Sequence, residues 1–255
     1  MSGHNKWSSI KHKKGAADAK RGKIFSKISR EIFVAVREGG GGDPETNPAL
    51  RTIIQKARGV NMPMDNIDRA IKKATGEGSD AVQYEEKIFE GYAADGVGLI
   101  VDVLTDNNNR AAAEIKHAFN HAGENMAQSG SVSRNFTRKG EIYVNKDKAD
   151  EEILMEVALE AGAEDMEIED TQFRIVTDAS GFMDVVETIE KAGIEIAESG
   201  VNLVPEVTVP VTDKSKAAKL LRFIDTLDDL DDVRNVYANY EIDDALMEEI
   251  SQENE

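Results

Sequence analysis

The residues best equipped for chemistry are the cations near the N-terminus, and phosphate binding is the chemistry they offer. The first 30 residues contain nine Lys and Arg but one acid, Asp18. The nine cations are Lys6, Lys11, Lys13, Lys14, Lys20, Arg21, Lys23, Lys27 and Arg30. Because the whole chain has a formal net charge of -18, this basic end points to a polyanionic partner such as nucleic acid.

The sign of the charge changes near Asp80. Residues 1–80 contain 16 Lys and Arg against 9 Asp and Glu, a net charge of +7, whereas the rest of the chain contains 15 against 40, a net charge of -25. We therefore expect nucleic-acid contacts to concentrate in the first part of the chain.

A helical pattern over Asp18–Arg37 places these cations on one face. Apolar residues fall on one side, and Lys20, Lys23, Lys27 and Arg30 recur at helical spacing on the other. Such a row is often an ordinary solvated face, but the segment 3–17 adds further cations, so we favour binding. His12 and Trp7 are included as candidate contacts, although Trp7 could instead pack this segment onto the helices.

A second cationic segment lies in the acidic part of the chain. Small residues from Gly130 to Ser133 precede Arg134, Arg138 and Lys139. Two interpretations stay open: a loop that contacts phosphate with these three cations, or a hinge between domains.

The sequence contains only weak candidates for a catalytic or metal-binding site. His117 and His121 have metal-like spacing, but they point away from the apolar helix face and lack a third ligand. The acids around residues 225–232 lack the spacing of a calcium loop and predict a solubilising surface. The tetraglycine at 39–42 lacks the Lys-Ser/Thr ending of a phosphate loop. We therefore predict no catalytic residue, cofactor or metal.

Composition predicts a cytoplasmic protein. The chain has no cysteine, which suits a reducing compartment, and no apolar run approaches the roughly 18 residues of a membrane span. No membrane partner is expected.

The periodicity predicts an α+β multi-domain protein, in which an N-terminal three-helix domain precedes two ferredoxin-like α/β domains, one inserted in the other. The expected boundaries are 1–78 for the basic helical domain, 79–136 plus 205–245 for a discontinuous middle domain, 137–204 for an inserted βαββαβ domain, and 246–255 for an acidic tail. Glycines and polar residues at 76–80 predict a linker.

Long motifs of this sequence closely resemble the YebC family, which includes the mitochondrial translational activator of cytochrome c oxidase. They are GHNKWSSIKHKKGAADAKRGKIFSKISREI at 3–32, GGGGDPETNPALRTIIQKARGVNMP at 39–63, DNIDRAIKKATGEG at 65–78, and LTDNNNRAAAEIKHAF with GSVSRNF within 104–140. The resemblance covers nearly the whole chain in the same order.

This resemblance implies three domains and a role in gene expression without catalysis. Family members are described as DNA-binding transcriptional regulators, and some as ribosome-associated factors that help translation through sequences such as consecutive prolines. By motif match, the basic nucleic-acid-binding positions fall on Lys6, Lys11, Lys13, Lys14, Lys20, Arg21 and Lys23. The resemblance therefore leaves two nucleic-acid partners open, DNA and ribosomal RNA.

Overall fold

The computed structural model describes Trp7 and residues 18–76 and 83–253. Most of the predicted linker at 76–80 lies outside the described residues. The chain divides into two compact units. The first unit comprises Met1–Lys27, Asp80–Thr137 and Val204–Glu255, and the second comprises Ile28–Ser79 and Arg138–Leu203. The predicted domain boundaries remain predictions.

Helices and strands alternate as an α+β chain after an all-helical beginning. The helices are α1 Asp18–Glu38, α2 Pro48–Gly59, α3 Met64–Thr75, α4 Asn108–Ala122, α5 Glu151–Glu160, α6 Phe182–Lys191, α7 Lys214–Asp228 and α8 Asp244–Glu253. The strands are β1 Glu85–Tyr92, β2 Gly98–Thr105, β3 Asn125–Met126, β4 Phe136–Asn145, β5 Asp165–Ile168, β6 Gln172–Asp178, β7 Glu198–Pro205, β8 Val209–Pro210, β9 Val233–Ala238 and β10 Tyr240–Glu241.

The start of α2 is fixed by the buried side chain of Asn47. Its Oδ1 accepts a hydrogen bond from the backbone N–H of Leu50 at 3.0 Å, and Pro48 occupies the first helical turn. The Asn47 Nδ2 donates to the carbonyls of Ala35 and Gly41, both at 2.8 Å. The predicted N-cap is thus confirmed, and the same residue also ties α2 to the end of α1.

The first sheet belongs to the first unit and has the strand order β3-β1-β2-β9, with antiparallel neighbours throughout. Alternating β2 residues Leu99, Val101 and Val103 are buried in a core that also takes side chains from α4 and α7. Phe119 and Phe223 meet edge-to-face in this core at a centroid distance of 5.0 Å. The β1–β2 hairpin lies at the centre of the sheet.

The second sheet belongs to the second unit and has the order β5-β6-β4-β7. Together with α5 and α6 it forms the predicted βαββαβ unit, and this strand order is that of the ferredoxin-like fold. Ile142, Val144 and Ile175 are fully buried against the two helices.

Three helices of the α/β part end as the sequence predicts. Gly123, Gly162 and Gly193 follow α4, α5 and α6, and their φ angles are 73°, 101° and 77°. This left-handed backbone conformation is the one glycine adopts without a Cβ penalty. The predicted glycine stops are confirmed.

Most of the segment predicted as an acidic tail forms a helix. Residues 244–253 form α8, and its Met247 and Ile250 are 2% and 1% exposed within the first core. Their spacing of three residues puts both on one helix face, which anchors an otherwise acidic segment. Within the described ranges, no helix combines the length and apolarity needed to cross a membrane.

Candidate nucleic-acid interface

Part of the predicted interface can be located in the structure. Lys6, Lys11, His12, Lys13 and Lys14 lie outside the described residues, as does the side chain of Lys20. Among the others, Arg21 is exposed in the first turns of α1, while Arg30 is half-buried further along the helix.

Trp7 packs into the protein. Its side chain is 5% exposed within the core of the first unit, and its Nε1–H donates to Asp225 Oδ1 at 3.0 Å. A ring enclosed in this way offers no face to a nucleic-acid base, so the structure corrects the inclusion of Trp7 among the contacts. The apolar body is buried and the polar N–H is satisfied, as expected for a packed indole.

We expect the fluorescence of this residue, the single tryptophan of the chain, to report burial. Acrylamide should quench its emission weakly in the native protein and strongly after denaturation, because Asp225 and the surrounding core exclude the quencher. Saturating nucleic acid should leave this quenching unchanged. Strong native quenching that nucleic acid suppresses would contradict a packed Trp7 and favour base stacking.

Two lysines of the predicted cationic row have partners within their own unit. The Lys23 Nζ donates to the carbonyl of Asp229 at 3.1 Å and lies 3.9 Å from the Asp231 carboxylate. The Lys27 Nζ donates to the carbonyl of Asp228 and lies 3.9 Å from its carboxylate. Lys23 keeps 52% of its side chain exposed and Lys27 only 13%. Lys23 and Lys27 therefore contact the end of α7.

A buried carboxylate organises the second cationic segment. Glu90, on β1, is 3% exposed and accepts hydrogen bonds from the backbone N–H groups of Gly130, Val132 and Ser133 at 2.7, 2.6 and 3.2 Å. Burial by itself would raise the pKa of Glu90, but these hydrogen bonds lower it below its ordinary value. These N–H groups already donate to Glu90, so any phosphate contact by this segment would come from its side chains.

The three cations of this segment differ in their surroundings. Arg134 is exposed in the turn before β4, and Arg138 is exposed on β4. Lys139 instead donates to both oxygens of Glu164 at 2.7 Å. Arg134 and Arg138 are therefore the more accessible candidates for phosphate contact.

Sequence reasoning missed exposed cations on the second and third helices. Arg58, at the end of α2, and Arg69, Lys72 and Lys73 on α3 are all exposed in the second unit. Their number was visible in the sequence, but apolar spacing assigned these helices to packing alone. Asp65 and Asp68 are exposed in the first turns of α3, so the leading end of this helix is acidic.

A groove of about 770 Å³ lies in the second unit, bordered by α2, α3 and α6. Its apolar lining includes Ile54, Ile67 and Met183, and its rim carries charges of both signs. The rim residue Arg51 already pairs with Glu187 at 3.1 Å. This mixed and partly neutralised rim does not resemble a phosphate site.

The remaining acidic and histidine candidates are accounted for by packing and solvent. His117 and His121 are exposed and stack at a centroid distance of 6.1 Å, as their helical spacing predicts. The described residues contain no His, Asp and Glu grouping able to hold a metal ion. Asp232 is not part of a solubilising surface: it is 3% exposed and accepts hydrogen bonds from Arg110 and Thr105.

Comparison with known proteins assigns the chain to a family. Residues 5–77 match the model of the TACO1/YebC protein N-terminal domain, and residues 84–240 match that of the TACO1/YebC second and third domain. Since the two matches together span most of the chain, the protein belongs to the TACO1/YebC family.

Full-length relatives and a solved structure agree with this assignment. Proteins named probable transcriptional regulatory protein from Syntrophobacter fumaroxidans and Rubrobacter xylanophilus are 49% and 52% identical over 251 residues, 98% of this chain and all of each relative. The crystal structure of a conserved hypothetical protein from Aquifex aeolicus is 44% identical, with a TM-score of 0.78 over 89% of this chain and 93% of that one.

Proposed function

We propose that this protein is a non-enzymatic regulator of gene expression that binds DNA through phosphate contacts from its basic N-terminal part. The observation that carries the proposal is the separation of charge, +7 in residues 1–80 against -25 beyond. The names of the full-length relatives support regulation of transcription. A cysteine-free chain suits the proposed cytoplasmic location.

Phosphate contact accounts for the accessible cations better than base recognition does. Arg21 on α1, Arg58 at the end of α2 and Arg69 on α3 are exposed within this basic part, and an arginine can bind phosphate without reading a base. A recognition helix would present its N-terminal turns to base edges in the major groove. The leading turns of α3 carry exposed Asp65 and Asp68, which phosphates lining that groove would repel.

The acidic start of α3 supports a second candidate, a ribosome-associated RNA-binding translation factor. Such a factor follows the shape and charge of structured RNA and needs no helix in the major groove. The part of the chain beyond Asp80, with its net charge of -25, would then make few contacts with the RNA phosphates.

A competition experiment with the full chain separates the two candidates. Labelled protein is challenged at about 150 mM salt with promoter DNA, scrambled DNA of equal length and purified ribosomes. Preference for promoter over scrambled DNA by about 10³ or more supports a transcriptional regulator. Ribosomes that outcompete both DNAs support the translation factor, and absence of binding to all three contradicts the proposal.

Replacing two exposed cations tests whether they touch phosphate. We expect Arg21→Ala with Arg134→Ala to flatten the plot of log K against log salt by about 1.4–1.8, because each lost contact removes about 0.7–0.9 of counterion release. The matched control is Lys148→Ala with Lys191→Ala, which removes equal charge from ion pairs in the second unit. Equal slopes in the two double variants would show that Arg21 and Arg134 make no phosphate contact.

A further inference from the structure

The end of α7 carries negative charge that its own helix does not neutralise. The helix closes at Asp228, Asp229 is its C-cap, and its last turn contains no basic residue. Its final carbonyls add the negative end of the helix dipole, roughly half an elementary charge, to the carboxylates of Asp228, Asp229 and Asp231. A cation from elsewhere in the chain is therefore favoured at this site.

Lys23 and Lys27 of α1 supply that charge. They lie one helical turn apart, so both ammonium groups reach the same end of α7. Each is within 4 Å of one carboxylate and donates to one carbonyl: Lys23 to the carbonyl of Asp229 and Lys27 to that of Asp228. All these residues lie in the first unit.

We propose that the end of α7 is an intramolecular competitor for nucleic acid, which holds Lys23 and Lys27 until a polyanion displaces it. The proposal rests on the proposed function, since these two lysines belong to the cationic row predicted to bind phosphate. An ammonium group has three donors on one nitrogen, and here that nitrogen already faces a carbonyl and a carboxylate. Phosphate must replace these acceptors to gain full contact.

Competition of this kind makes binding selective for charge density. Double-stranded DNA carries about one negative charge per 1.7 Å of its axis, so several phosphates approach the two lysines together. A peptide that brings fewer than three carboxylates to the two lysines offers less charge than Asp228, Asp229 and Asp231 already provide. The end of α7 therefore sets the density of negative charge that a partner must exceed to bind Lys23 and Lys27.

The test neutralises the acids and leaves the lysines in place. In the variant Asp228→Asn, Asp229→Asn, Asp231→Asn, we expect binding of a scrambled 20-base-pair DNA duplex to become about 2- to 30-fold tighter, the effect of losing two partly exposed ion pairs. The salt slope should steepen by up to about 1.4–1.8, the limit reached if both lysines gain full phosphate contact only when the acids are neutralised.

A matched control separates competition from a general change in charge. Glu152→Gln, Glu156→Gln and Glu160→Gln remove three exposed carboxylates along α5, so the net charge changes by the same amount. These changes should leave the salt slope unaltered. A slope that steepens equally in both triple variants would overturn the proposal.

The lysines provide the second readout. Lys23→Ala with Lys27→Ala should weaken binding more in the Asn background than in the wild-type protein, because only released lysines contribute fully. Equal losses in both backgrounds would overturn the competition while leaving DNA binding itself established. Absence of duplex binding by the wild-type protein and by every variant would contradict this proposal and proposed DNA binding together.

Discussion

Replacing Arg174 with alanine is expected to lower the free energy of unfolding by about 3–5 kcal/mol, because it leaves a buried charge without its partner. Glu141 on β4 is fully buried, and its Oε1 accepts hydrogen bonds from Nε and Nη2 of Arg174 at 2.8 and 2.6 Å. Asn202 Nδ2 donates to the other oxygen at 2.8 Å. Urea denaturation of the full chain, followed by circular dichroism, measures the loss.

Two control variants define the origin of this effect. Arg138→Ala removes an exposed arginine from β4 and should change stability by less than about 0.5 kcal/mol. Replacing both members of the buried pair, Glu141→Leu with Arg174→Met, should recover much of the loss, since well-packed apolar pairs often substitute for buried ion pairs. A loss below about 1 kcal/mol for Arg174→Ala would contradict the assignment of a tightly coupled pair.

Replacing Glu90 with alanine is the second change with a large expected effect. It should lower the free energy of unfolding by about 2–4 kcal/mol. The carboxylate accepts from three backbone N–H groups of the segment at 130–133, a buried one at Val132 and partly buried ones at Gly130 and Ser133. Such donors are costly when they are left without an acceptor. The matched control is Glu86→Ala on the same strand, whose carboxylate pairs with Arg234 at the surface and should contribute less than about 1 kcal/mol.

The same carboxylate predicts a dependence on pH. Because the pKa of Glu90 is lowered in the folded state, its contribution is complete above the unfolded pKa of about 4.3 and is lost as pH falls through the folded pKa. The stability difference between wild type and Glu90→Gln should therefore be larger at pH 7 than at pH 3. A difference that is constant over this range would contradict an ionised Glu90.

Local structure was predictable from local residues. Asn47 before Pro48 indicated the start of α2, and the Ala-Gly pairs at Gly123, Gly162 and Gly193 indicated three helix ends. These signals depend on neighbours along the chain, since caps and left-handed glycines act within a turn or two. The βαββαβ order followed from the same kind of reasoning, applied element by element.

The partners of the charged residues were not predictable. Lys27 and the carbonyl it meets at Asp228 are 201 residues apart, and nothing in the periodicity of α1 distinguishes a solvated lysine from a paired one. The same holds for Trp7, whose partner Asp225 lies 218 residues away. Long-range pairing is set by tertiary packing, so the sequence indicated which residues are cationic but not which remain accessible.

The strands of the second sheet lie in sequence between strands of the first, and this order constrains how the chain folds during synthesis on the ribosome. Strand β2 pairs with β9 along one edge, yet all four strands of the second sheet are synthesised between them. Chains emerge N-terminus first at about 5–20 residues per second, so the second sheet can close before β9 leaves the exit tunnel. During that interval Leu99, Val101 and Val103 lack the core contacts that later residues supply. The edge of β2 that pairs with β9 in the folded protein is also open, and an unpaired strand edge favours aggregation between chains.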